Sequence, residues 1–267
     1  MSALDQVRTD LREERFALDS VLDRLDDALW GAPTPSPGWT VADQVGHLAY
    51  FDDAAATSIT DPEAFAAHLS ALIGGASAVG IDEFTLDAYR AMTGSQVLST
   101  WRTHGAALDL AAAGLVDGER VSWYGPTLSA ISFVAARLME TWAHGTDVAE
   151  AVGAPYEPTP RLRPIARLGF ATRRWSYVVR GEEPPPGTVA VDLAGPDGER
   201  WTWGEADASD TITGSAHDFC LVVTQRRHLD DTALTTGDLG RHWLERAQVF
   251  AGTPSVGPPP GGRREPG

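Results

Sequence analysis

The stretch GWTVADQVGHL (residues 38–48) contains the start of a helix and places an imidazole among apolar side chains. It follows three prolines within residues 33–37, which remove backbone donors and end any helix before it. Thr40 stands three residues before Asp43, the spacing of a capping box. Apolar residues then recur at helical intervals, at Val41, Val45 and Leu48. The pattern predicts a helix that runs to about residue 59.

Three further segments have the hydrophobic spacing of long helices. Apolar residues recur every three to four positions in residues 4–30, 82–112 and 127–152, with charged residues between them. A shorter helical segment is expected at residues 65–72. With the helix that follows Thr40, these segments predict a four-helix bundle, which forms an N-terminal domain over residues 1–155.

The composition changes after residue 155, where four prolines within residues 155–164 indicate a linker. Strands are predicted at residues 188–193 and 200–204, joined as a hairpin, and helices at residues 215–227 and 236–250. We therefore expect a smaller C-terminal α+β domain over residues 156–251. The Pro/Gly-rich residues 252–267 are expected to be a disordered tail. The predicted fold class is α-dominated α+β.

The charged residues exclude several kinds of function. All 21 basic residues of the 267 are arginine, so Schiff-base and Walker-lysine chemistry are excluded. The net charge of −16 argues against a broad nucleic-acid-binding surface, and we expect no nucleic-acid partner. The absence of lysine and asparagine, beside many Ala, Gly, Pro and Arg residues, is typical of a GC-rich genome.

The hydrophobic runs and the single cysteine give further limits. No apolar run approaches the roughly 20 residues that cross a bilayer, and the charged N-terminus does not resemble a secretory signal. We expect a cytoplasmic protein without a membrane partner. Cys220 cannot form an internal disulfide, and its apolar neighbours favour an inert buried thiol. Any metal must therefore be bound by His and carboxylate groups.

Glu140 and His144 form the first candidate metal site. Their four-residue spacing places a carboxylate and an imidazole one helical turn apart on one face, where they could bind the same ion. The alternative is an ordinary solvated helix face. Asp147, three residues after His144, would either orient the imidazole or carry a charge near the helix end.

His47 lies among apolar residues, where an unpaired imidazole would lose its hydration. One interpretation is a core histidine bonded to a backbone carbonyl. The other combines His47 with Glu140 and His144 as a His₂Glu set, which leaves a metal with an open position for water or substrate. Trp123 and Tyr124 could line the mouth of such a pocket or serve packing alone.

Two motifs resemble a known family. Residues 38–48 resemble the second-helix signature of the DinB-like bundle in mycothiol-dependent maleylpyruvate isomerases, and the stretch ETWAH (residues 140–144) resembles its partner motif. The resemblance covers about the first 155 residues. It implies that His47, Glu140 and His144 are the metal ligands, that the metal is a divalent ion, with zinc expected, and that mycothiol is a further cofactor.

The second half has a weaker resemblance. Residues 215–228 resemble the C-terminal segment of an actinobacterial metal-binding branch with a wyosine-formation-like tail. The isomerases carry an arginine that contributes to activity in a C-terminal α+β domain. Arg226 is our candidate for that catalytic residue, with Arg227 as its competitor, and either could instead be a surface arginine.

The resemblance implies a divalent-metal-dependent enzyme acting on a small molecule. Such an enzyme would use mycothiol for cis–trans isomerisation of, or S-transfer to, a small acidic or electrophilic metabolite. A thiol-independent metal enzyme of a biosynthetic pathway, performing hydrolysis or cyclisation, is one alternative, since a fold does not fix a chemistry. A non-catalytic metal-binding protein is another. The sequence does not determine the oligomeric state.

Overall fold

The computed structural model describes residues 1–263, with the backbone alone at residue 78. The chain divides into two compact units, Met1–Tyr156 and Glu157–Gly267. Helices predominate, and a three-stranded sheet lies in the C-terminal part. The predicted α-dominated α+β class is therefore confirmed.

Among the described residues, the first unit contains six α-helices and one antiparallel pair of two-residue strands. The helices are α1 (Ala3–Leu22), α2 (Val41–Thr60), α3 (Pro62–Val79), α4 (Ile81–Arg90), α5 (Gly94–Ala113) and α6 (Ala130–Val152). The short strands β1 (Arg120–Val121) and β2 (Leu128–Ser129) pair antiparallel just before α6. Helix α2 packs against α5 and α6, and α1 packs against α6. This packing brings one face of α2 against one face of α6.

Two of the long helices expected from the sequence are interrupted. The segment expected at residues 82–112 forms α4 and α5, because Thr93 accepts a hydrogen bond from the backbone of Gln96 and starts a new helix. In the segment expected at residues 4–30, the helix ends at Leu22, and a short 3₁₀ turn, Asp27–Gly31, follows. That turn buries Trp30 in the core beside α5.

The second unit combines short helices with a three-stranded sheet. The elements are α7 (Leu162–Ala171), α8 (Arg173–Val178), β3 (Val189–Ala194), β4 (Arg200–Trp203), β5 (Asp210–Ser215), α9 (Ala216–Val223) and α10 (Asp238–Leu244). The expected hairpin is present as the antiparallel pair of β3 and β4. Strand β5 was not predicted from the sequence; it runs parallel to β3, with Val189 opposite Asp210.

The tail differs from the expected disorder over residues 252–263. Its backbone carbonyl at Ser255 accepts hydrogen bonds from the side chains of Arg180 and Gln225. The amide of Gly261 donates to Asp231, and Arg263 is buried. The hydrogen-bond partners of this segment are thus side chains elsewhere in the second unit, which the composition of the segment does not predict. Residues 264–267, the rest of the expected tail, lie outside the described residues.

Within residues 1–263, no single helix is both long and apolar enough to cross a bilayer. Pro62–Ser77 and Ile81–Arg90 reach the required length and composition only when they are taken together, with a bend of 102° between them.

Candidate metal centre

Three side chains from α2 and α6 converge within the first unit. His47 lies on α2, and Glu140 and His144 lie one turn apart on α6. The Nε2 atom of His144 is 3.1 Å from Oε2 of Glu140, and the Nε2 atom of His47 is 3.6 Å from the same oxygen. One ligand atom from each residue lies within 4.8 Å of the other two. The structure therefore brings together the three residues that the sequence analysis selected.

The start of α2 is fixed by the residues of its capping box. The backbone amide of Thr40 donates to Oδ2 of Asp43 at 2.9 Å, and the amide of Asp43 donates back to Oγ1 of Thr40 at 3.2 Å. Arg90 on α4 donates to Oδ1 of Asp43 at 2.8 Å. Burial disfavours the charge, but these hydrogen bonds and the guanidinium outweigh it and lower the pKa of Asp43. One turn later the same helix presents His47.

Gly46 allows α2 to approach α4 closely. A Cβ atom at this position would lie 2.9 Å from the Cβ of Tyr89, closer than such atoms pack. The residue before His47 is therefore at a point of tight helix contact, where a side chain would push α2 away. The position of His47 depends on this contact.

Gln44 controls the orientation of the His144 ring. The Nδ1 atom of His144 donates to Oε1 of Gln44 in a very short hydrogen bond, and Nε2 of Gln44 donates to Oγ1 of Thr34 at 2.8 Å. With Nδ1 donating to Gln44, the Nε2 edge of the His144 ring is directed toward Glu140. Gln44 lies within the motif at residues 38–48, but the local sequence pattern indicates no role for it.

The charge on Glu140 is maintained by the two imidazoles. Burial opposes ionisation, but hydrogen bonds and charge from His144 and His47 outweigh it and hold the pKa of Glu140 well below its usual range. At neutral pH the site thus contains a carboxylate facing two imidazole Nε2 atoms. The donor atoms that converge here are two imidazole nitrogens and an ionised carboxylate oxygen. This donor set suits a divalent cation such as zinc.

One side of the cluster is accessible. The side chains of His47 and Glu140 are each 19% exposed, whereas His144 is 9% exposed. The ring of Trp39 stacks on His144 with centroids 5.8 Å apart and contacts His47 at 5.2 Å. The indole of Trp39 donates to Asp82 at the start of α4. A ligand can therefore reach the cluster past His47 and Glu140.

The remaining candidates have other environments. Asp147 is fully buried and accepts a hydrogen bond from Ser36 at 3.0 Å, which attaches the loop before α2 to α6. Cys220 is buried in the second unit, and burial raises the pKa of its thiol. Arg226 also belongs to the second unit, where its Nη1 donates to the carbonyl of Thr224 at 2.7 Å.

Residues 11–149 match the family model described as the mycothiol maleylpyruvate isomerase N-terminal domain. The chain belongs to this family. The resemblance predicted from the motifs at residues 38–48 and 140–144 is confirmed, and the matched residues include the whole His47, Glu140 and His144 cluster.

Two relatives extend the comparison to most of the chain. Two proteins of Mycobacterium tuberculosis, uncharacterized protein MT0041 of strain CDC 1551 and uncharacterized protein Rv0036c of strain H37Rv, are each 42% identical to it. In both cases the match covers 93% of this chain and 96% of the relative.

Solved structures of the mycothiol-dependent maleylpyruvate isomerase show the same fold. The crystal structure of that enzyme superposes with a TM-score of 0.58, and that of a mutant with 0.57. Sequence identity is 17% in both cases, over 88% of this chain and 92% of the solved chain.

Proposed function

We propose that the chain is a divalent-metal-dependent enzyme, with zinc as the metal and mycothiol as the thiol cosubstrate. Its reaction would be cis–trans isomerisation of, or S-transfer to, a small acidic or electrophilic metabolite in the cytoplasm. The observation that carries the proposal is the convergence of His47, Glu140 and His144 on one point. Membership of the mycothiol maleylpyruvate isomerase family supports the reaction class.

The accessible side of the cluster favours catalysis over simple metal storage. A structural site surrounds its ion with protein ligands, whereas a catalytic site leaves one position open. Here three ligands come from two helices, and the side chains of His47 and Glu140 remain partly exposed. This arrangement leaves room for a substrate or a thiol.

The protein's own residues would prepare the site. His47 and His144 would bind the cation through Nε2, and Glu140 would bind it through Oε2. Gln44 keeps the proton of His144 on Nδ1, so that Nε2 is available as a ligand. When bound, the cation would lower the pKa of a coordinated thiol and polarise a carbonyl oxygen.

The chain itself supplies no suitable thiol. Its single cysteine, Cys220, is fully buried, and burial raises the pKa of that thiol. A nucleophilic sulfur must therefore come from a small molecule, which agrees with a mycothiol-dependent reaction. We further propose Arg226 as a catalytic residue that binds a substrate oxygen.

Metal content and thiol dependence test the proposal together. We expect about one divalent ion per chain in the wild type, measured by plasma mass spectrometry on untagged protein, and loss of the ion in His47→Ala and His144→Ala. The matched control is His228→Ala, which should retain the metal. The imidazole of His228 lies in the second unit, where it accepts a hydrogen bond from the backbone of Asp230. Isomerisation of maleylpyruvate should then require both metal and mycothiol, and Arg226→Ala should reduce it.

The possible failures are distinct. A wild type that stays metal-free after reconstitution with zinc contradicts the metal site. Bound metal without any thiol-dependent reaction contradicts the mycothiol proposal and favours the thiol-independent enzyme. Full activity in Arg226→Ala removes the role of that arginine.

A further inference from the structure

Four half-buried aromatic residues lie in edge-to-face contact with one another beside the candidate metal centre, and we call this group the aromatic wall. They are Tyr50 and Phe51 of α2 and Trp123 and Tyr124 between β1 and β2. The ring of Phe51 lies 4.6 Å from that of His47 and 5.3 Å from that of Tyr124. Trp123 and Tyr124 are 4.6 Å apart. The wall thus leads from a candidate metal ligand to a tyrosine hydroxyl.

A neutral polar pair stands at the far end of the wall. The hydroxyl of Tyr124 is 2.7 Å from Nε2 of His68 on α3. Burial raises the pKa of Tyr124 and lowers the pKa of His68, so both groups are uncharged at neutral pH. If Nε2 of His68 donates to the phenol oxygen, the Tyr124 O–H is left to donate to a ligand carbonyl.

The charges around the wall disfavour an anionic ligand. Arg137, whose guanidinium is 6.0 Å from the Trp123 ring, is bound by Asp52 through Nε at 3.2 Å and Nη2 at 3.0 Å. The exposed carboxylate of Asp53 is close enough to act on Tyr124 and His68, and it would repel a carboxylate. An uncharged ligand avoids this repulsion.

We propose that this site takes an uncharged, planar, conjugated electrophile, whose ring packs on the aromatic wall and whose carbonyl oxygen accepts a hydrogen bond from Tyr124. This inference rests on the proposed thiol-dependent function and narrows its substrate class from acidic or electrophilic to neutral electrophilic. Aromatic faces bind flat apolar groups, and one oriented donor fixes their direction.

The step is balanced without any further reactant. A thiolate sulfur forms a bond to the β carbon of a cis enone. The carbon–carbon π pair becomes a double bond between the α carbon and the carbonyl carbon, and the carbonyl π pair moves to the oxygen. Rotation about the resulting single bond between the α and β carbons follows. The oxygen pair then re-forms the carbonyl, the enolate pair re-forms the carbon–carbon double bond in the trans geometry, and the sulfur–carbon pair leaves with the thiolate. Tyr124 would stabilise the oxygen while it carries the negative charge.

The test compares two substrates on the zinc-loaded full-length protein with mycothiol. The neutral probe is cis-4-phenylbut-3-en-2-one, and the anionic probe is maleylpyruvate. We expect kcat/KM for the neutral enone to exceed that for maleylpyruvate by about tenfold or more. Tyr124→Phe should lower kcat/KM for the enone by about tenfold while metal content is unchanged. Tyr177→Phe, which removes a hydroxyl 3.0 Å from Nδ1 of His242 in the second unit, is the matched control and should act like wild type.

Substitutions of His68 separate positioning from folding. His68→Gln retains an amide N–H that can reach the Tyr124 oxygen and should keep most of the enone activity, whereas His68→Leu should lose it. Equal thermal stability of the two variants would show that the difference is not a loss of fold.

The outcomes distinguish this inference from the proposed function. Faster turnover of maleylpyruvate than of the enone overturns the substrate class and leaves the proposed function intact. If neither probe is turned over, binding of the enone is measured by saturation-transfer NMR. Binding that weakens in Tyr124→Phe supports the proposed substrate class and shows that the thiol reaction is what fails. Absence of both binding and turnover overturns the inference.

Discussion

The imidazole Nδ1 of His144 on α6 hydrogen-bonds the side-chain oxygen of Gln44 on α2, across 100 positions of sequence. The same glutamine is held in place by Thr34, to which its amide donates at 2.8 Å. The loop before α2 therefore determines the tautomer of a candidate ligand on another helix.

Replacing Gln44 by Leu should weaken metal binding more than it affects folding. Without an acceptor at Nδ1, the His144 ring loses its fixed tautomer, and loss of such a partner costs roughly 10- to 100-fold in metal affinity. Zinc affinity measured by competition with a chelator tests this. Gln44→Glu, which retains an acceptor, should keep tighter binding than Gln44→Leu, and equal affinity in both variants would contradict the assigned role.

Gly46→Ala should destabilise the first unit. The added Cβ would lie 2.9 Å from the Cβ of Tyr89, so α2 must shift against α4. We expect a loss of about 1–3 kcal/mol in the free energy of unfolding, measured by urea denaturation. Gly31→Ala, where a Cβ meets nothing within 4 Å, is the control. A Gly46→Ala protein as stable as that control would show that the two helices separate readily.

Asp52→Ala should be among the most damaging substitutions in the bundle. Asp52 is fully buried and is paired with Arg137 at 3.0 Å and Arg15 at 2.9 Å. Removing it leaves buried guanidinium charge without compensation, which typically costs about 3–5 kcal/mol. Thermal and urea denaturation measure the loss. Asp192→Ala, which breaks the exposed pair with Arg200, should leave stability close to wild type.

The capping carboxylate of Asp43 should make the first unit sensitive to acid. Because its pKa is lowered in the folded protein, the ionised group stabilises the fold above its unfolded pKa, and this contribution is lost as pH falls through the folded pKa. Asp43→Asn should therefore be less stable than wild type by about 1 kcal/mol at pH 7. The difference should shrink below about pH 4, the pKa of a free aspartate. A difference that stays constant across urea titrations at pH 7, 5 and 3 would contradict this explanation.

Local sequence signals predicted much of the bundle. The capping box at Thr40 predicts the start of α2, which runs from Val41 to Thr60, because both groups of the box lie within one turn. The four-residue spacing of Glu140 and His144 also predicts a shared helix face. These features depend on residues a few positions apart, and the sequence displays them directly.

Features that depend on distant partners were not predictable in the same way. Association of His47 with Glu140 was one of two interpretations of the residues, and the family resemblance favoured it, since spacing does not show which helices pack together. The strand β5 has few apolar residues and forms by parallel pairing with β3. Gln44 was missed because its partner lies on another helix, and the sequence gives no local sign of that bond.

The hydrogen bonds of residues 252–263 make this part of the C-terminal segment belong to the folded second unit. Gln225 adopts a left-handed backbone conformation, with φ at 60°. Its side-chain nitrogen Nε2 donates to the backbone carbonyls of Ala247 and Ser255. A protein truncated after residue 251 would lose the Ser255 acceptor while the strained backbone of Gln225 remained. Trimming the proline-rich terminus to aid crystallisation would therefore remove part of the fold, and a purification tag is better attached at the N-terminus.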